Sequence, residues 1–136
     1  MVMKKGTTNI LGYFTLTSSI LKIVEEVSKK TLKRLDGISK DKTEFPIYLI
    51  GQLGKNDIFW NEISGSYLLE SAISNIYDAH EVVGGRVVLI ETLNNEKLIK
   101  FYEKNRFKQL QKRLDVKKDN IGNEIKKEYI QLIRFL

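Results

Sequence analysis

The stretch from Pro46 to Phe107 limits the fold more than any other part of the chain. It opens with an apolar run of strand length, Pro46-Ile47-Tyr48-Leu49-Ile50-Gly51-Gln52-Leu53-Gly54, rich in β-branched and aromatic residues. A helix-period segment follows over 63–79, where Leu68, Ala72, Ile76 and Leu69, Ile73, Tyr77 recur every four residues as one apolar stripe. A second buried-strand run covers Arg86 to Glu91, and a short helix covers Glu96 to Lys104. Strand, helix, strand, helix in about sixty residues predicts a βαβ unit with one more helix, and therefore two parallel neighbouring strands. The first strand is apolar on both faces, which predicts the middle of a sheet covered on both sides. Gly51 and Gly54 weaken it as a plain strand and mark a bulge or a close backbone approach. Asn61 or Ser64 caps the long helix, and Gly84-Gly85 ends its connection to the next strand.

The flanking segments fit around that unit as a single α+β domain. Asn9 to Leu16 is strand-like, beginning almost at the amino terminus. Thr17 to Val27 reads two ways: Ile20, Ile23, Val24 and Val27 have helical spacing, whereas Thr17-Ser18-Ser19 extends the strand. Ser28 caps a short basic helix over 29–35, closed by Gly37, and 38–45 is a polar loop. Asn94-Asn95 opens the last helix and Asn105 ends it in a left-handed conformation. Phe107 to Gln111 and Tyr129 to Leu136 form an antiparallel pair across a charged turn containing Asp119-Asn120-Ile121-Gly122.

Composition removes several chemistries. The chain of 136 residues has no cysteine and one histidine, so thiolate metal sites, Cys nucleophiles and histidine triads are excluded or improbable, and no metal is expected. No phosphate loop with its lysine and no dinucleotide fingerprint is present. His80 falls near a helix carboxyl end, which suits a structural role. No apolar run approaches membrane length, and a soluble, cytoplasmic protein is expected. The net charge of +6 leaves two readings, a solvated surface or an anionic partner such as a nucleotide or RNA. The helix start Ile63-Ser64-Gly65-Ser66 is likewise either a capped helix or a phosphate-holding one.

Three segments together resemble the GNAT superfamily, the GCN5-related N-acetyltransferases: Tyr48-Leu-Ile-Gly-Gln-Leu-Gly54, Ile63-Ser-Gly-Ser-Tyr-Leu-Leu69 and Leu98-Ile-Lys-Phe-Tyr-Glu-Lys-Asn-Arg-Phe107. Gly12-Tyr-Phe-Thr-Leu16 is similar to the strand before the central one in the bacterial, toxin-like branch. The resemblance implies the acyl-CoA N-acyltransferase fold and transfer of acetyl from acetyl-CoA to a primary amine by direct attack. It places the cofactor where the two parallel strands splay apart. Leu53, Gly54 and Lys55 would bind the pantetheine arm and polarise the thioester. Amides of Glu62, Ile63, Ser64, Gly65 and Ser66 would bind the pyrophosphate, and Asn95 would contact the cofactor arm. Tyr102 would protonate the departing thiolate, and Glu91 would relay a proton from the acceptor ammonium. From spacing alone, Tyr102 is equally a packed helix tyrosine, Asn95 a helix cap and Glu91 a surface strand end.

The sequence departs from the family pattern in three places. Where the family's pyrophosphate loop reads Gln/Arg-x-x-Gly-x-Gly/Ala, this chain has Trp60-Asn61-Glu62-Ile63-Ser64-Gly65, keeping only Gly65. Glu62 and Ile63 are expected to weaken cofactor binding there. Arg106 stands where the family has glycine before Phe107. Ahead of Gly12-Tyr13 the usual strand and helices are missing, so the strand over 10–16 is expected to lie at an unpaired edge. That edge predicts a homodimer, a swapped arrangement or a separate partner fragment. The acceptor class stays open among small molecules, proteins and aminoacyl-tRNA. The alternative function is a non-catalytic remnant of the family, acting as an interaction module or a basic RNA-binding protein.

Overall fold

The computed structural model describes residues 1–38 and 41–136. Six strands form one mixed sheet in the order β1-β2-β3-β4-β6-β5. They are β1 (Val2–Met3), β2 (Ile10–Lys22), β3 (Glu44–Lys55), β4 (Val87–Leu93), β5 (Lys108–Lys118) and β6 (Glu124–Phe135), with helices α1 (Lys29–Asp36), α2 (Gly65–Val83) and α3 (Glu96–Lys104). Among the described residues only β3 and β4 pair in parallel, joined by the α2 crossover as the βαβ pattern requires. The polar loop expected over 38–45 includes residues 39 and 40, which lie outside the described residues, and β3 already begins at Glu44.

Period-two alternation divides the core between the two faces of the sheet. Val88 and Ile90 point to the face covered by α2 and α3, where they join Ile50, Leu69, Ile73, Ile99 and Leu132. Val87 and Leu89 point to the other face, against Leu21, Leu35, Phe45 and Ile133 beneath α1. Burial on both faces explains why these strands read as continuous apolar runs.

One open reading is resolved and two local expectations are settled differently from their sequence reading. The ambiguous segment continues as strand to Lys22, one of its two readings, because it pairs with β3 residue by residue from Leu16 with Ile50 to Lys22 with Glu44. Asn105 is not left-handed (φ −97°); the positive φ falls one residue later, on Arg106 (φ 71°). The closing hairpin is longer than expected, running from Lys108 to Phe135. Its turn is held by the Asp119 carboxylate, which accepts from the Ile121 and Asn123 amides at 3.0 and 2.8 Å.

Strand β2 pairs along its length with β3, while on its outer side β1 reaches only Ile10 and Gly12. The edge expected to be unpaired over 10–16 is thus covered by β1 at its start, and among the described residues the outer edge of Phe14–Lys22 has no partner strand.

Candidate active site

The parallel strands separate where the candidate residues begin. Their register covers Tyr48 with Val88, Leu49 with Leu89 and Ile50 with Ile90, and stops there, although β3 runs on to Lys55 and β4 to Leu93. The cause lies on the other side of β3. Thr15 opposes Gln52 and Leu16 opposes Ile50, so Gly51 is an extra residue, and the resulting bulge swings the strand toward β2. Leu53, Gly54 and Lys55 then pair with Phe14, Tyr13 and Gly12, leaving their opposite edge facing the gap. A Cβ on Gly54 would lie 2.9 Å from the Tyr13 ring, so glycine is what lets that ring close over the strand.

The α2 amino terminus is built to keep its amides free. Ser64 caps the helix, its hydroxyl accepting from the Tyr67 amide at 3.0 Å, and the Gly65 and Ser66 amides remain beyond the cap. Ile63, the residue in place of a loop glycine, is 6% exposed and packs inward with Leu11 and Leu68. Its side chain therefore fills core rather than the approach to the helix end. The Glu62 amide is committed to the Phe59 carbonyl (2.9 Å), and its carboxylate is paired with Lys4 at 2.9 Å. Lys55 bends back to donate to the Trp60 and Ile63 carbonyls at 2.8 and 3.3 Å, which fixes the loop's path. A cavity of about 500 Å³ opens beside this end, lined by Lys4, Lys5, Glu62, Ile63, Ser64 and Tyr67 among others.

Helix α3 packs onto this end of α2 through Phe101, whose ring would lie 3.2 Å from a Cβ on Gly65. The one loop glycine that survives thus also allows the close approach of Phe101. Asn95 caps α3, its side-chain oxygen accepting from the Lys97 and Leu98 amides at 3.0 and 3.3 Å. Tyr102, one residue past Phe101, sits half-buried with edge contacts to Phe101 and Phe107. Burial raises its pKa above the usual value of 10.0, so the phenol is fully protonated near neutrality.

Glu91 lies on the opposite face of the sheet, two residues from Leu89. Arg113 grips both of its oxygens at 2.9 and 2.8 Å, and Gln131 donates to one of them at 2.8 Å. Gln131 in turn accepts from Gln111 (2.6 Å), whose side chain also binds the Lys22 carbonyl and the Val24 amide at the end of β2. This chain of side chains across β2, β5, β6 and β4 has no counterpart in the sequence reading. Its one visible sign was a glutamine inside the apolar run Ile130-Gln131-Leu132-Ile133. The Arg113–Glu91 pair also raises the arginine's pKa, chiefly through their hydrogen bonds. Among the described residues no cluster of three or more metal-ligating side chains occurs, and no helix is long and apolar enough to cross a membrane.

No protein-family model and no curated protein matches the chain. Solved structures do. The structure described as AtaT complexed with acetyl-methionyl-tRNAfMet superposes with a TM-score of 0.64 at 22% identity, covering 96% of this chain and 65% of that one. A tyrosine-to-phenylalanine mutant of KacT gives 0.62 at 23% identity, covering 92% and 66%. Arabidopsis thaliana NAA60, in complex with a bisubstrate analogue, gives 0.59 at 16% identity, covering 93% and 65%. This chain therefore spans about two thirds of the length of the structures it resembles. The order of its strands, the α2 crossover and the splayed parallel pair give it the fold of the GCN5-related N-acetyltransferases.

Proposed function

We propose that the chain is an N-acetyltransferase that binds acetyl-CoA in the gap between β3 and β4 and transfers the acetyl group to a primary amine. The observation that carries this reading is the end of the parallel register at Ile50 and Ile90, next to a long helix whose first amides are free. Solved neighbours carry the same ligand chemistry: one is described as the AtaT mutant toxin bound to the AtaR antitoxin C-terminus and acetyl-CoA, another as the NatC complex bound to Gag peptide and CoA.

Acetyl-CoA supplies an activated thioester that a neutral amine attacks directly, so no protein nucleophile is required. The residues present fit such a group. Leu53, Gly54 and Lys55 offer backbone groups along the unpaired edge of β3 to align the acyl arm. The Gly65 and Ser66 amides, at the positive end of the α2 dipole, take the pyrophosphate, with Lys5 adding charge at the rim. Ile63 and Ser64 shape that turn, one by anchoring it in the core and the other by capping it. Glu62 contributes its place in the loop rather than a donor, since its amide and carboxylate are both engaged. Asn95 orients the start of α3 beside the gap through its cap.

Tyr102 serves as the proton donor, because its buried phenol is protonated and stands on the α2/α3 face. Glu91 is on the other face, so a ligand held in the gap is reached from both sides, the cofactor from one and the amine from the other. With both oxygens already held by donors, Glu91 orients the acceptor ammonium and passes a proton on only as Arg113 and Gln131 allow. Positioning and charge stabilisation carry the remainder of the rate.

Calorimetry with acetyl-CoA tests this reading, followed by steady-state turnover on a panel of amines including an aminoacyl-tRNA. Binding with turnover on any of them supports it. Absence of binding at millimolar acetyl-CoA would instead favour a non-catalytic interaction module, a second reading motivated by the uncovered edge of β2 and the engaged Glu62. For that edge we also propose pairing with a second copy or a partner chain, which light scattering of the pure protein checks.

A further inference from the structure

The end of the sheet opposite the gap carries a cluster of cations that the proposed transfer reaction does not use. Phe135 pairs with Val87, the first residue of β4, about 20 Å along the strand from Leu93 at roughly 3.3 Å per residue. Three neighbouring cavities, of about 400, 210 and 430 Å³, share Arg34 and Phe135 in their walls. Lys108 lines the first two, Arg106 the second and Arg86 the third.

The Arg34 guanidinium is held over the Phe135 ring at 3.8 Å, so it lines the groove at little further entropic cost. Arg134, also in the wall, is neutralised by Glu70 at 2.7 Å. The side chains of Arg34, Arg86, Arg106 and Lys108 make no hydrogen bond or ion pair among the described residues.

Two further features point to a ligand. The first is His80, which lines the same cavity as Arg86 and has a buried Nδ1 with no partner. A buried imidazole nitrogen without a partner is uncommon, because the group loses its water without compensation. The second is Arg106, whose φ of 71° is the one positive φ on a non-glycine residue in the described chain. Glycine would hold that turn more cheaply. The strain is retained in a residue that lines the same cavity as Arg34 and Lys108.

We infer that this groove is a second ligand site, for a small free molecule carrying two or more phosphate charges. Guanidinium groups match phosphate oxygens in geometry as well as charge, and a concave wall encloses a compact anion better than a strand. The site is independent of the proposed cofactor, which lies at the other end of β4.

Calorimetry at low salt, with acetyl-CoA present at saturating concentration, measures binding of sodium pyrophosphate, ATP and a single-stranded oligonucleotide. Pyrophosphate and ATP bind the unmodified chain, and Arg34→Ala and Arg86→Ala each weaken them by roughly tenfold or more. Arg106→Gly weakens them too while raising the unfolding temperature, a split that a merely structural arginine cannot produce. The His80 ring nitrogen signals shift on adding pyrophosphate. The site is refuted by equal affinity in all three variants, by displacement of pyrophosphate with acetyl-CoA, by no binding at all, or by binding of the oligonucleotide alone. Should acetyl-CoA itself fail to bind, the variant comparison with pyrophosphate still reads this groove and separates the two outcomes.

Discussion

The two ends of β4 meet negative charge by different means. At the Leu93 end, the gap offers backbone amides at the start of a nineteen-residue helix, and the nearby charges are mostly spent on each other or on the loop: Lys4 on Glu62, Lys55 on two carbonyls. At the Val87 end the backbone is already paired, Val87 with Phe135, and the cations are left to face solvent. Backbone donors are fixed by the fold and survive any side-chain change short of proline, whereas a cluster of arginines can be dismantled residue by residue. Substitutions should therefore separate the two ends: changes at the first act through chemistry and helix geometry, and changes at the second act through charge.

The largest effect is expected at Tyr102. Tyr102→Phe should lower turnover by on the order of 10²-fold or more while leaving the acetyl-CoA dissociation constant within about twofold, read by single-turnover kinetics beside calorimetry. A proportional loss of affinity would reduce Tyr102 to a packing residue. Next in size is Gln111→Leu, which strips partners from the Lys22 carbonyl, the Val24 and Glu25 amides and Gln131. It should cost about 1–3 kcal/mol in urea unfolding, and turnover should fall as well if the network truly holds Glu91. Unchanged kinetics in a variant so destabilised would detach Glu91 from the reaction.

Two smaller changes should move stability in opposite directions at the two ends. Ser64→Ala removes the α2 cap and should destabilise by about 1 kcal/mol, with weaker acetyl-CoA binding as the first turn frays. Arg106→Gly relieves the positive φ and should stabilise by about 1 kcal/mol, with acetyl-CoA binding unaltered. If both variants shifted cofactor affinity alike, the separation of the ends would be wrong.

The smallest effect concerns alkaline pH. Burial raises the Tyr102 pKa above 10.0, so between about pH 10 and the folded value the unfolded chain binds fewer protons than the native one. Stability from this group is complete below pH 10 and is lost as pH rises through the folded pKa. Thermal melts of Tyr102→Phe should accordingly decline less steeply above pH 10 than those of the unmodified chain.

Local rules made much of the framework legible. Ser28 and Asn95 cap the helices they were expected to cap, and of the two candidates for α2 Ser64 rather than Asn61 caps it, because a side-chain oxygen bonding an amide two or three residues ahead is a short-range event. Gly51 and Gly54 were readable as a bulge and a close approach for a similar reason. Ile63 was not. As a residue in a loop it looked like an obstruction to an anion, and only packing against Leu11 and Leu68 turns its side chain away. Glu91 was visible as a polar strand residue, but its partners Arg113 and Gln131 come from strands 22 and 40 positions distant, and nothing in a linear pattern connects them.

The sequence by itself determined the βαβ unit, its caps, the apolar strands buried on both faces and the likeness that suggested acetyl transfer. Periodicity and capping are set by residues within a few positions of one another, so they survive without coordinates. Tertiary structure alone decided where the parallel strands part, which way Ile63 turns, what grips Glu91, and that Arg34, Arg86, Arg106 and Lys108 meet around Phe135. Each depends on contacts between distant segments, whose energies arise only once the sheet has assembled.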